Sequence, residues 1–218
     1  YNCTVPEDWD PDDLRADVGR RLDGAGFDAT AGPVLLTRVD QRHASGAWAG
    51  PVTVVATVGL SNPATLHFPT TQCGPDGESA VRSNAGEHGS EVEETDGTDG
   101  PPRPGTVNLF VGTSRALTDA GMANLIAIAT EARTATLLEL AGFTGTTSDA
   151  FVIGCDPDGE FARYTGSATP VGRATRSCVR EAITASFRSR YAEYDPPGSV
   201  ANAEHGAVTT PEAQVFDP

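Results

Sequence analysis

Residues 106–155, TVNLFVGTSRALTDAGMANLIAIATEARTATLLELAGFTGTTSDAFVIGC, carry the clearest succession of elements in the chain. The opening T-V-N-L-F-V-G-T reads as a strand, with Val107, Leu109 and Val111 on one face. A helix follows from roughly Thr118 to Leu140. Met122, Ile126, Ala129, Arg133, Leu137 and Leu140 recur at helical spacing; Asn124, Ala127, Glu131, Thr134 and Leu138 form a second row. After a Gly-Phe-Thr-Gly-Thr-Thr-Ser-Asp turn, Ala150 to Cys155 reads as another strand.

The flanks extend the pattern. Upstream, residues 10–25 place acids first and Leu14, Val18 and Leu22 four apart, as in a short amphipathic helix. Pro33–Val39 reads as a strand, and Pro51–Leu60, β-branched almost throughout, as a stronger one that S-N-P-A-T then turns. Downstream, D-P-D-G (156–159) reads as a hairpin-like turn into F-A-R-Y-T. Thr169-Pro170 opens a last helix, threonine as N-cap and proline at N1, running to about Tyr191. The expectation is an α+β fold, a mixed β-sheet with packed helices, in a single domain over 1–194. Residues 74–104 hold eight acids and two arginines among Gly, Ser and Pro, and are expected to be an acidic disordered insertion. Residues 195–218 are expected to be a disordered C-terminal tail.

Composition narrows the function. The 218 residues carry a formal net charge of −15, and all 15 basic residues are arginine. An acidic, lysine-free chain rich in small residues suits a salt-loaded cytoplasm, where charges are screened within about 3 Å at 1 M salt. The composition points to a halophilic, archaeal host; an acidic protein of ordinary cytoplasm is the rival reading. Nucleic acid and anionic membranes are poor partners for such a charge. No apolar run approaches the ~20 residues of a membrane-spanning helix. The start at Tyr1, without methionine or leader pattern, reads as a processed or truncated product.

Cys3, Cys73, Cys155 and Cys178 lack the spacing of a zinc site and are too sparse for a disulfide scaffold. His43, His67, His88 and His205 are equally dispersed. No resident metal and no cofactor are expected. Four segments set small polar residues at the ends of apolar strands, where sites on sheet scaffolds tend to lie: 56–62, 105–108, 130–133 and 144–149. Glu131 and Arg133, two apart on a helix, project about 200° from one another, so each needs a partner from elsewhere. Thr-Gly-Thr-Thr-Ser-Asp gathers hydroxyls, backbone donors and a carboxylate, a set able to cradle an oxyanion or amide.

Together, G-T-V-N-L-F-V (105–111), A-T-E-A-R-T-A-T-L (129–137), T-G-T-T-S-D-A-F-V (144–152) and Y-T-G-S-A-T-P-V-G (164–172) resemble the adenosylcobinamide amidohydrolase family of cobalamin salvage. A-T-V-G-L-S-N (56–62) is similar to that family's A-T-A-G-L-S-N, and Asn2 to Pro6 to its N-x-x-V-P. The family usually has lysine where Arg133 stands, and usually a further segment before N-x-x-V-P. The resemblance implies hydrolysis of the amide that joins the aminopropanol arm to the corrin ring. The products are adenosylcobyric acid and 1-amino-2-propanol, or its phosphate. Two schemes follow. In the preferred one, Glu131 or Asp149 is a general base for water, and Arg133 or the backbone amides of Gly145–Thr147 hold the oxyanion. In the other, Thr146, Thr147 or Ser148 attacks directly. Thr57, Ser61, Asn62, Asn108, Gly145 and Ser148 are expected to contact substrate, with Asn62 and Asn108 bonding the corrin's peripheral amides. The alternative function is a corrinoid carrier or sensor that binds without cleaving; an unrelated acidic interaction module is a third.

Overall fold

The computed structural model describes residues 1–6, 9–28, 30, 32–67, 105–203 and 205–217. The expected acidic insertion at 74–104 lies outside the described residues, as do Cys73 and His88. The elements are β1 (Asn2–Thr4), α1 (Leu14–Gly24), β2 (Leu35–Thr37), β3 (Ser45–Ala49), β4 (Val52–Val58), β5 (Pro63–Leu66), β6 (Val107–Ala116), α2 (Asp119–Ala141), β7 (Gly145–Thr146), β8 (Ala150–Phe161), α3 (Pro170–Arg190) and β9 (Ala207–Thr209). The class is α+β, as expected.

The central sheet runs β3-β4-β6-β8. Its first three strands are antiparallel neighbours, and β6 and β8 are parallel, joined across α2. Alternation along β4 buries Val52, Val54, Ala56 and Val58 against the helices, while Thr53 and Val55 face away. Val107, Leu109 and Val111 of β6 face the same core, as their spacing predicts. Leu125 and Leu137 of α2 and Val179 and Ile183 of α3 are fully buried there. Each such side chain contributes on the order of 1.5–3 kcal/mol.

The caps follow the sequence. Thr118 Oγ1 accepts from Gly121 N–H at 3.1 Å, and Gly142 closes α2 at φ 76°. Thr169 Oγ1 accepts from Gly172 N–H at 3.0 Å with Pro170 in the first turn of α3. The buried face of α2 differs from the expected rows. It comprises Gly121, Leu125, Ile128, Ala129, Ala132, Thr136 and Leu137, leaving Ile126 and Leu138 exposed. Ala and Leu lie nearly all round this helix, so periodicity alone does not single out the face.

Other expectations give way to pairing. S-N-P-A-T does not only turn the chain: Pro63 begins β5, which pairs with both β7 and β9. D-P-D-G is an irregularity within β8, which continues parallel to β6; Arg115 faces Glu160 after Thr113 faces Cys155. Gly159 fits there because a Cβ would strike the Ser114 carbonyl. In the stretch expected as a disordered tail, Ala207–Thr209 pairs parallel with Ala64–Leu66. Among the described residues, no helix is long and apolar enough to cross a membrane.

Candidate functional site

Three chain segments meet where β4 leaves the core, where β6 enters it and where α2 turns back into β8. The first is fixed from behind by α3. Ser186 Oγ accepts from Val58 N–H at 3.0 Å, and Tyr191 Oη accepts from Leu60 N–H at 2.8 Å. Burial pushes the Tyr191 phenol pKa up, so it stays neutral and able to serve here. Gly105 sits at φ 92° and in contact with the next turn; a Cβ there would strike Ser61 Oγ and lie 2.7 Å from Asn62 Oδ1.

Arg133 and Asp149 form a buried ion pair, Nη1 to Oδ2 at 2.6 Å, with side chains 11% and 7% exposed. Arg133 Nη1 also donates to the Thr144 carbonyl at 2.8 Å. Asp149 collects three more donors: Val107 N–H at 3.1 Å, Thr146 N–H at 3.0 Å and the Thr146 hydroxyl at 2.5 Å. The Asp149 carboxylate is thus engaged at both oxygens, by the Thr146 hydroxyl and Val107 N–H at Oδ1 and by Arg133 Nη1 and Thr146 N–H at Oδ2. Its work is to fold the 144–149 loop and tie it to α2 and β6. Both Arg133 bonds leave from one nitrogen, while its buried Nε has no partner. Position 133 therefore uses a single cationic donor point, which a lysine ammonium also supplies.

Above this pair lies a hydroxyl cluster. The fully buried Asn62 donates through Nδ2 to Thr147 Oγ1 at 2.6 Å and to Ser148 Oγ at 3.2 Å. Thr147 N–H returns to the Asn62 carbonyl at 3.1 Å. Ser148 Oγ shares a hydrogen bond with Thr106 Oγ1 at 2.7 Å. Thr147 and Ser148 are exposed residues resting on a buried frame. Asn62 Oδ1 is buried without a partner.

The structure thus brings together Asn62, Arg133, Gly145, Thr146, Thr147, Ser148 and Asp149, with Ser61 alongside. It places Thr57 and Asn108 in a second buried cluster. There Asn108 Nδ2 donates to Asn2 Oδ1 at 2.8 Å and to Leu36 O at 3.0 Å, and Asn2 Nδ2 donates to Thr57 Oγ1 at 3.1 Å. Those bonds seat β1 and β2 on the central sheet. Glu131 stands apart: its side chain is 57% exposed and pairs with Arg176 of α3 at 2.6 Å. Such a pair is worth about 0.2–1 kcal/mol, less in salt. Glu131→Gln is therefore expected to shift the unfolding free energy by no more than ~1 kcal/mol, as read by urea denaturation. Turnover is expected to persist; its loss in a folded variant would restore Glu131 as a base.

Sequence reading marked the segment 105–108 and the motif at Asn2–Pro6 but named none of Gly105, Thr106 and Asn2 as a site residue. The signal for Gly105 was present in G-T-V-N, a glycine immediately before a strand. His67 contacts the tail, its N–H donating to the Thr209 carbonyl at 3.0 Å. Among the described residues, no group of three His, Cys, Asp or Glu is placed to hold a metal.

Comparison with known proteins bears on this arrangement. A family model described as adenosylcobinamide amidohydrolase matches residues 1–195. A Halobacterium salinarum protein named adenosylcobinamide amidohydrolase is 51% identical over 219 residues, covering 100% of this chain and 85% of that protein. That relative comes from a halophilic archaeon, in keeping with the acidic, lysine-free composition here. No solved structure matches.

Proposed function

The chain belongs to the adenosylcobinamide amidohydrolase family, and we propose that it hydrolyses the amide between the corrin ring and the aminopropanol arm of adenosylcobinamide. Water adds to the carbonyl carbon, the C–N bond breaks and the nitrogen departs with a proton. The products are adenosylcobyric acid and 1-amino-2-propanol, which places the reaction in corrinoid salvage. A cytoplasmic setting fits the composition.

The observation that carries a mechanism is Asn62 donating to two exposed hydroxyls at once. A hydroxyl that accepts from an amide keeps its own proton to give. Thr147 and Ser148 are thereby arranged to donate to the scissile carbonyl oxygen as it becomes negative. Their orientation is set before substrate arrives, because the loop beneath them is locked by the Arg133–Asp149 pair. This reading makes Thr147 and Ser148 the substrate-touching groups and Asn62, Thr106, Arg133, Thr146 and Asp149 their supports. Direct attack by Ser148 is the weaker scheme. The hydrogen-bond partners of its hydroxyl are an amide and another hydroxyl, neither of which is a base.

The test is mass spectrometry of the chain with adenosylcobinamide in molar potassium chloride. Free aminopropanol over many turnovers is the expected result; stoichiometric binding of unchanged corrinoid would indicate a carrier instead. Asn62→Ala, Thr147→Ala and Ser148→Ala are each expected to lower kcat, with Asn62→Ala costing about 100–1,000-fold because it disorients both donors. Wild-type rates in all three would remove the hydroxyl cluster from the reaction.

A further inference from the structure

We infer that the C-terminal segment beyond the family-matched span is a working part of this site, and that His205 is a positioning residue acting through its backbone on the Ser61–Asn62 turn. The inference rests on the reading above, since it assumes that Asn62 orients the reacting hydroxyls.

One strand is held from both sides. On one edge β5 pairs with β7, Pro63 facing Thr146 and Ala64 facing Gly145, and the Thr144 hydroxyl donates to the Ala64 carbonyl at 2.8 Å. On the other edge β5 pairs with β9, Ala64 facing Ala207 and Leu66 facing Thr209. The loop that carries Thr147 and Ser148 and the C-terminal segment are thus neighbours across a single strand. The residue just before β5 is Asn62, and the carbonyl before that, on Ser61, accepts from His205 N–H at 3.2 Å. The turn that aims Asn62 therefore has one backbone clamp from the loop, Thr147 N–H on the Asn62 carbonyl, and one from the C-terminal segment.

The segment is shaped for this. Ala203 N–H returns to the Val200 carbonyl at 3.3 Å, and Gly206 passes so close to that carbonyl that a Cβ would collide with it. β9 itself is exposed along its length and buries no core side chain. A strand that adds little to the core, yet is paired beside the site, has a use in aiming rather than in folding. The family match ends at residue 195, so this clamp belongs to what the chain carries past that span.

Two substitutions at one position separate backbone from side chain. His205→Pro removes the N–H donor together with the imidazole, whereas His205→Gln removes the imidazole and keeps the donor. His205→Pro is expected to lower kcat about 10–100-fold, the scale of a sub-ångström misplacement near reacting groups, with KM and the melting temperature unchanged. His205→Gln is expected to restore kcat to within about twofold, since the donor is kept. Gly206→Ala, which displaces the same turn by another route, is expected to match the kcat loss of His205→Pro while remaining folded. Wild-type kcat in both His205→Pro and Gly206→Ala would overturn the inference. So would equal loss in His205→Gln, or a kcat loss that merely follows unfolding. Absence of turnover by the unaltered chain would instead sink the amidohydrolase reading, and this inference with it.

Discussion

Asp149→Ala is expected to lower the unfolding free energy by about 3–5 kcal/mol, the cost of stranding a buried charge by deleting its partner. Arg133 would be left 11% exposed beside a vacated carboxylate, and Val107 N–H, Thr146 N–H and the Thr146 hydroxyl would lose their acceptor together. Urea denaturation in molar potassium chloride measures the change while holding ionic strength. Arg133→Met in the same chain is expected to recover part of the loss, because removing both charges takes away the uncompensated one. Arg133→Lys is expected to be far milder, since both Arg133 bonds use one nitrogen. Activity in Asp149→Ala is expected to vanish with the 144–149 loop. A variant that keeps its stability but loses turnover would instead favour Asp149 as the base for water.

That alternative follows from reading residue types without their partners. Asp149 and Glu131 are both carboxylates in family motifs, and sequence gives no reason to rank them. The fold separates them: one is saturated by four donors under the loop, the other lies on the helix surface against Arg176. Secondary structure was legible where local physics decides it. Thr118, Gly142 and Thr169-Pro170 mark helix ends because capping is a matter of adjacent backbone groups. Val52–Val58 and Val107–Ala116 are legible because their alternation meets a one-sided core. Ser45–Ala49 was not, being S-G-A-W-A with no β-branched residue; it is a strand because a tight turn through Gly50 and Pro51 folds it back onto β4. β1, β5, β7 and β9 are two to four residues long, and their pairing is set by segments distant in sequence. The same holds for the site. Thr-Gly-Thr-Thr-Ser-Asp announces itself, whereas Asn62 and Thr106 become its partners only when three strands converge.

Gly145→Ala is expected to lower turnover sharply by crowding the Arg133–Asp149 pair beneath the loop. Gly145 has no positive φ, so its backbone does not call for glycine; the space does. A Cβ at this position would collide with Arg133 Nη1 and lie 3.0 Å from Cζ and 2.6 Å from Asp149 Oδ2. The guanidinium cannot withdraw, for it is held by the Thr144 carbonyl on the same loop and lies over the Phe151 ring, 5.7 Å from its centroid. Either the ion pair opens or the loop lifts, and both move the hydroxyls of Thr147 and Ser148. A shift of about 1 Å there is expected to lower kcat roughly 100-fold. The overpacking itself is expected to cost on the order of 1–3 kcal/mol. Gly154→Ala is the control, since a Cβ there meets nothing within 4 Å. The activity loss should exceed what the stability loss explains, because at about 1–3 kcal/mol a chain of ordinary stability remains folded. If Gly145→Ala turned over like Gly154→Ala, the tight seat of the loop on Arg133 would have no part in the reaction, and the hydroxyl cluster would need another support.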